Sequence, residues 1–142
     1  MLKNSLVIHS FNKQLVYILG ILLFLFAANV VVSAEIEIRD VSATEAAEIL
    51  KENPNIRVLD VRTGFEFSAG HIEDALNLNY FSLGFKKKLA ELDKDVTWLV
   101  HCRTGVRSGR TLPLMKAAGF TSVMHLKDGI VDWRDSDLPL IK

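Results

Sequence analysis

Cys102 is the only cysteine in this chain, and three prolines and eight glycines are spread thinly through its 142 residues. A lone cysteine excludes an internal disulfide, and with none near position 35 a lipid-modified N-terminus is excluded too. The sequence has no internal repeat, no low-complexity tract and no glycine-rich nucleotide loop. It also lacks an excess of positive charge. All 17 Asp and Glu fall after Ala34, whereas two of the 17 Lys and Arg precede it, so residues 35–142 carry a formal charge of −2. Such a surface gives no reason to expect nucleic acid as a partner. The run Lys86-Lys87-Lys88 reads as the solvated face of a helix. Neither His101 nor His125 has a second ligand at metal-binding spacing, so no metal site is expected.

Long apolar runs are confined to the start of the chain. Lys3 and Lys13 lead into a run over residues 15–32, broken mainly by Gly20 and Asn29, which ends in Val32-Ser33-Ala34 before Glu35. A basic start, an apolar middle and small residues before a polar switch form an export signal with cleavage after Ala34. At 18 residues the run is close to the ~20 needed to span a bilayer, so an uncleaved anchor is the alternative. Both readings leave the lysines cytoplasmic and place residues 35–142 outside the cytoplasm. A bacterial periplasm is the favoured compartment. Residues 1–34 are thus read as signal peptide or membrane anchor and residues 35–142 as one domain, touching a membrane only if the N-terminal segment is retained.

Within residues 35–142, short apolar or β-branched runs alternate with helical patterns. Strands are expected over residues 35–39, 57–61, 75–78, 96–101 and 121–126. Helices are expected over residues 43–51 behind a Ser42 cap, 63–69, 81–92 with Phe81, Phe85, Leu89 and Leu92 on one stripe, 106–118 and 128–134. This alternation predicts an α/β fold, a central parallel β-sheet flanked by helices on both faces, with a site beyond the carboxyl ends of the strands.

Cys102 falls at such an end, in His101-Cys102-Arg103-Thr104-Gly105-Val106-Arg107-Ser108. A small buried hydrophobe is the commoner role for an arbitrary lone cysteine, but two arginines flanking Gly105 have no use in an apolar core. A strand ending in a thiol, a tight loop and then a helix aims N–H groups and positive charge at the sulfur, favouring a reactive thiolate open to solvent near neutral pH.

The segment Cys102 to Ser108 resembles the active loop of the rhodanese family of sulfurtransferases. Asp60-Val61-Arg62, Glu66 and Gly70-His71-Ile72 are similar to the segment that precedes that loop in the family, and residues 126–133 to its C-terminal motif. The resemblance implies a rhodanese-like fold and transfer of a sulfane sulfur from thiosulfate or a similar donor, through a persulfide on Cys102, to a thiol or cyanide. It implies no organic cofactor and no metal. Backbone N–H groups of Arg103, Thr104, Gly105, Val106 and Arg107 would hold the transferred sulfur's charge, and the guanidiniums of Arg103 and Arg107, ranked equally, would bind the donor's oxygens. Asp60 and Arg62 are read as supports of the loop, Arg62 and Glu66 as a surface ion pair, His71 as a helix-end hydrogen-bonding group, and Trp98 and Trp133 as core.

Relatives acting on phosphate or arsenate carry one more residue between cysteine and arginine than the four found here. His101 and Ser108 nevertheless echo cysteine-dependent phosphatases, which stay as one alternative. A persulfide carrier or binding module without turnover is the other. Asp74 and Asp128 stand where the family pattern usually has glycine, and either could reshape a turn near the site. Pro113 cannot bond the Gly109 carbonyl, which predicts a kink or a restart of the helix near Gly109. The oligomeric state is not readable.

Overall fold

The computed structural model describes residues 35–142, and the expected signal or anchor over residues 1–34 lies outside the described residues. Five strands, β1 (Glu37–Val41), β2 (Arg57–Asp60), β3 (Leu76–Asn77), β4 (Trp98–His101) and β5 (Ser122–Leu126), form one parallel sheet in the order β1-β5-β4-β2-β3. Helices α1 (Ala43–Glu52), α2 (Gly64–Ser68), α3 (Phe85–Ala90) and α4 (Val106–Ala118) connect them, and α5 (Gly129–Asp135) follows β5. Parallel strands need such crossovers, and a sheet covered on both faces requires strands with few polar residues. The central strand β4 is buried along its whole length.

Alternation along the strands divides the interior in two. One face carries Leu59, Val61, Trp98, Val100, Cys102 and Val123 against Phe85 and Leu89 of α3 and Met115 of α4. The other carries Val41, Val58, Leu99, Met124 and Leu126 against Ala43 and Ala46 of α1 and Ile130 and Trp133 of α5. Trp98 and Trp133 are therefore core, as expected, each with its indole N–H donated to a backbone carbonyl, of Asp93 and Pro139.

Several expectations change. The helix predicted over residues 81–92 is shorter: Gly84 holds φ +76 before Phe85, and Phe81 lies outside the helix, 68% exposed. Of the two outcomes expected at Pro113, the restart is not found: α4 is a single helix over Val106–Ala118. Helix packing sustains the turn that lacks its hydrogen bond, with Thr111 and Met115 buried on either side of the proline. Asp74 does adopt φ +58, a left-handed conformation better suited to glycine. It lies remote from Cys102, however, in a surface cleft with Arg57 and Trp98 at the amino ends of β2 and β4. Asp128 has φ −97, accessible to any residue.

Candidate active site

Cys102 follows the last residue of β4, and its loop is held down by what comes after β5. Gly105 has φ +84, and a side chain there would drive a Cβ to 1.7 Å from the Lys127 carbonyl oxygen. Gly129 has φ +66, and a Cβ there would meet the Arg103 carbonyl at 2.4 Å. Both glycines are required because two backbone segments touch at these points. The Ile130 and Val131 N–H groups donate to the carbonyls of Cys102 and Arg103, at 2.9 and 3.1 Å. The turn into α5 thus clamps the loop.

The sulfur lies at the floor of this cradle, and Cys102 is 1% exposed. Burial alone raises a thiol's pKa. Here the Ser108 hydroxyl, together with backbone N–H groups of Ser108, Thr104 and Arg107, outweighs burial and holds the Cys102 pKa below its ordinary value. The direction of that shift is the one a reactive thiol needs. The solvent-open sulfur is not found: Cys102 is buried among the groups that hydrogen-bond it.

The two loop arginines are not equivalent. Arg107 is half-buried and donates both terminal nitrogens to Glu66, at 2.7 Å each; its charge also acts on the Cys102 sulfur. Glu66 belongs to a capping box that starts α2, its Oε2 receiving the Thr63 N–H at 3.0 Å and the Thr63 hydroxyl at 2.9 Å. Those donors, Arg107 first, lower the Glu66 pKa to about 2. Phe81 contributes its ring face, 5.8 Å from the Arg107 guanidinium. Arg103 is exposed and outside every ion pair among the described residues. Thr104 and Val106 are exposed at the rim, while Gly105 is buried.

Asp60 and Arg62 are fully interior. Arg62 donates its backbone N–H and Nε to Asp60 Oδ1, at 2.8 and 3.0 Å, and Nη2 to Oδ2 at 2.6 Å, with a further bond from Nη2 to the Gly70 carbonyl at 2.9 Å. Arg62 therefore pairs with Asp60, not with Glu66, whose partner is 41 residues away. The support reaches the cysteine loop through β4, where the Val61 N–H donates to the His101 carbonyl at 3.0 Å. His71 stacks on Phe67 and lies 3.2 Å from its carbonyl, the helix-end role read from sequence.

A second set of residues converges on the sulfur from the other side. Ser108 Oγ lies 3.5 Å from Cys102 Sγ and 3.0 Å from His125 Nε2, and His125 Nδ1 lies 2.9 Å from Asp40 Oδ1. Parallel pairing makes this possible: Asp40 is the register partner of His125 on β1, and Val100, two residues before Cys102, is its partner on β4. Glu66, Ser108, His125 and Asp40 were not expected as site residues. Ser108 directly after Arg107 was a visible signal; the others depend on strand register and long-range pairing.

Fold and site together define a parallel α/β domain with one buried, hydrogen-bonded cysteine just past a strand end. Residues 42–136 match the Rhodanese-like domain, and the chain belongs to that family. It is 32% identical over 101 residues to thiosulfate sulfurtransferase GlpE of Actinobacillus pleuropneumoniae, covering 71% of this chain and 91% of that one. It is 33% identical over 93 residues to the probable adenylyltransferase/sulfurtransferase MoeZ of Mycobacterium tuberculosis; the match takes in 66% of this chain but only 24% of MoeZ. A rhodanese-related protein of Thermoplasma volcanium superposes with a TM-score of 0.64 at 27% identity, covering 72% of this chain and 97% of that one.

Proposed function

We propose that this chain is a sulfurtransferase that takes sulfane sulfur from thiosulfate or a chemically similar donor onto Cys102 and passes it to a small thiophilic acceptor, a thiol or cyanide. The observation that carries this reading is a lone thiol with a lowered pKa at the floor of a cradle of N–H groups. The similarity to thiosulfate sulfurtransferase GlpE over 91% of its length supports it. In the first step the Cys102 thiolate attacks the donor's outer sulfur, a new S–S bond forms, and sulfite leaves with the electrons of the broken S–S bond. In the second, the acceptor attacks the outer sulfur and the Cys102 thiolate leaves. Neither step needs an oxidant.

Burial of Cys102 suits this sequence. A persulfide S–S bond of about 2.05 Å lifts the reactive atom that far toward the mouth of the loop, so the sulfur exposed to the acceptor is the transferred one. The cradle amides then hold its negative charge. Arg103, exposed at the rim and outside every ion pair among the described residues, meets the donor's sulfonate oxygens, while Arg107 is held by Glu66.

Thiocyanate production from thiosulfate and cyanide by the full chain tests the proposal. Activity is expected, with its complete loss in Cys102→Ser; full activity in that variant overturns the reading. One extra sulfur on Cys102 by intact mass, without measurable turnover, assigns the chain to persulfide carriage instead. Arg103→Ala is expected to raise KM for thiosulfate several-fold, on the order of 1 kcal/mol, while leaving kcat nearly unchanged. Residues 1–34 are proposed to export the domain, cleaved after Ala34 or kept as an anchor; N-terminal sequencing of protein purified from its host distinguishes the two forms.

A further inference from the structure

Ser108 Oγ is surrounded by more acceptors than it has protons. It lies 3.5 Å from Cys102 Sγ, 3.0 Å from the Gly105 carbonyl and 3.0 Å from His125 Nε2. A hydroxyl has one proton to donate. On the far side of the imidazole, Asp40 Oδ1 at 2.9 Å is an acceptor only, so Nδ1 carries a hydrogen. When the imidazole is neutral, Nε2 is therefore a bare lone pair competing with the sulfur and the carbonyl for that one proton. A proton on Nε2 removes one competitor: Nε2–H donates to Ser108 Oγ, and the hydroxyl proton is left to the sulfur and the Gly105 carbonyl.

We propose that His125, held by Asp40, is a positioning residue that accepts the Cys102 thiol proton through Ser108, so that the nucleophile is stored as a thiolate–imidazolium pair. The inference rests on the sulfurtransferase reading only for its purpose. In the transfer the Cys102 S–H bond breaks as a Ser108 O–H bond forms. The hydroxyl's original proton moves to His125 Nε2, and no atom is gained or lost.

The surroundings of the imidazole fit this role. Asp40 faces it from β1, and Cys102 faces it through Ser108; Val100 is its partner on β4, and Gly109 of α4 lies against its Cε1. Arg107 of α4 is drawn to Glu66, and Arg110 and Lys127 are exposed. Asp40 is the one ionisable group in ion-pair contact with it among the described residues. The carboxylate's side chain is 63% exposed, so the far end of the relay reaches solvent while its near end is buried.

Thiolate ultraviolet absorbance and iodoacetamide alkylation of the full chain, followed against pH without any sulfur donor, test the relay. In His125→Gln the midpoint of thiol ionisation is expected to rise by about one unit, slowing alkylation about tenfold below that midpoint. Asp40→Asn is expected to slow it about threefold by the same linkage. Unchanged titrations, with only the melting temperature lowered, overturn the proposal. Should His125→Gln fail to fold, the imidazole nitrogen NMR shifts of wild type and Cys102→Ala decide it. Coupling requires His125 to lose its proton at lower pH once the thiolate is gone, and identical imidazole titrations overturn it. Because no donor is present, a chain inactive in sulfur transfer can still pass this test, and an active one can fail it.

Discussion

Two histidine–aspartate pairs stand on adjacent strands of the same sheet, each in register, one on each face, and their surroundings give them opposite roles. His101 and Asp60 pair across β4 and β2, both side chains fully buried, with Nε2 and Oδ2 3.6 Å apart. His125 and Asp40 pair across β5 and β1 at 2.9 Å, with the carboxylate open to water. Asp60 gives its oxygens to Arg62 and has little left for the histidine, whose Nε2 has no hydrogen-bond partner. Asp40 has no such competitor among the described residues and orients its histidine toward Ser108 and the thiol. Residue identity does not separate the pairs; the third partner does. An arginine turns one into a structural brace, and a serine turns the other into a link to the nucleophile.

The sharpest way to break this comparison is to remove each carboxylate. Asp60→Ala leaves the Arg62 guanidinium buried and uncompensated, and the unfolding free energy measured in urea is expected to fall by about 3–5 kcal/mol. Asp40→Ala removes a mostly exposed carboxylate and is expected to cost under about 1 kcal/mol, while slowing alkylation of Cys102. Equal losses of stability would mean that both pairs are braces.

A smaller effect separates Arg107 from Arg103. Glu66→Gln loosens the bidentate hold on Arg107, and kcat/KM for thiosulfate is expected to drop about tenfold, roughly 1.4 kcal/mol. Because the Glu66 pKa is lowered to about 2 from its usual 4.5, its contribution to stability is complete above about 4.5 and lost as pH falls through 2. Wild-type activity should therefore show no acid limb from Glu66 between pH 4.5 and 7; a limb there that vanishes in Glu66→Gln would contradict the assignment.

The readable parts of this molecule were those whose physics is local. Alternation of β-branched runs with helical stripes and Ser42 as a cap each act within a few residues, and the structure places elements close to where they were expected. Cys102, Gly105 and Arg107 were legible because a reactive thiol needs donors and a turn within one loop. Long-range pairings were not. Glu66 looked like the partner of Arg62 at helical spacing, but Thr63 caps α2 with that carboxylate and directs it to Arg107. Phe81 continued an apolar stripe, yet the helix begins at Phe85 and the ring lies under a guanidinium. Asp40 and His125 are 85 residues apart and meet only through parallel register.

The smallest expected effect sharpens the comparison through pH alone. Burial of His101, the largest influence on it, holds its pKa below the usual 6.5, against the pull of Asp60. In the unfolded chain the same imidazole takes up a proton near 6.5, so below that pH the unfolded state binds more protons than the folded one and stability falls as pH falls. Melting temperatures of wild type should therefore decline with acidification below about 6.5 more steeply than those of His101→Gln, which has no imidazole to charge, even if the variant starts from a lower value. Alkylation of Cys102 should keep its pH profile in this variant, since the brace lies on the opposite face from the relay. A shifted thiol profile in His101→Gln would show that the two faces are coupled through β4, and that the buried histidine, too, acts on the nucleophile.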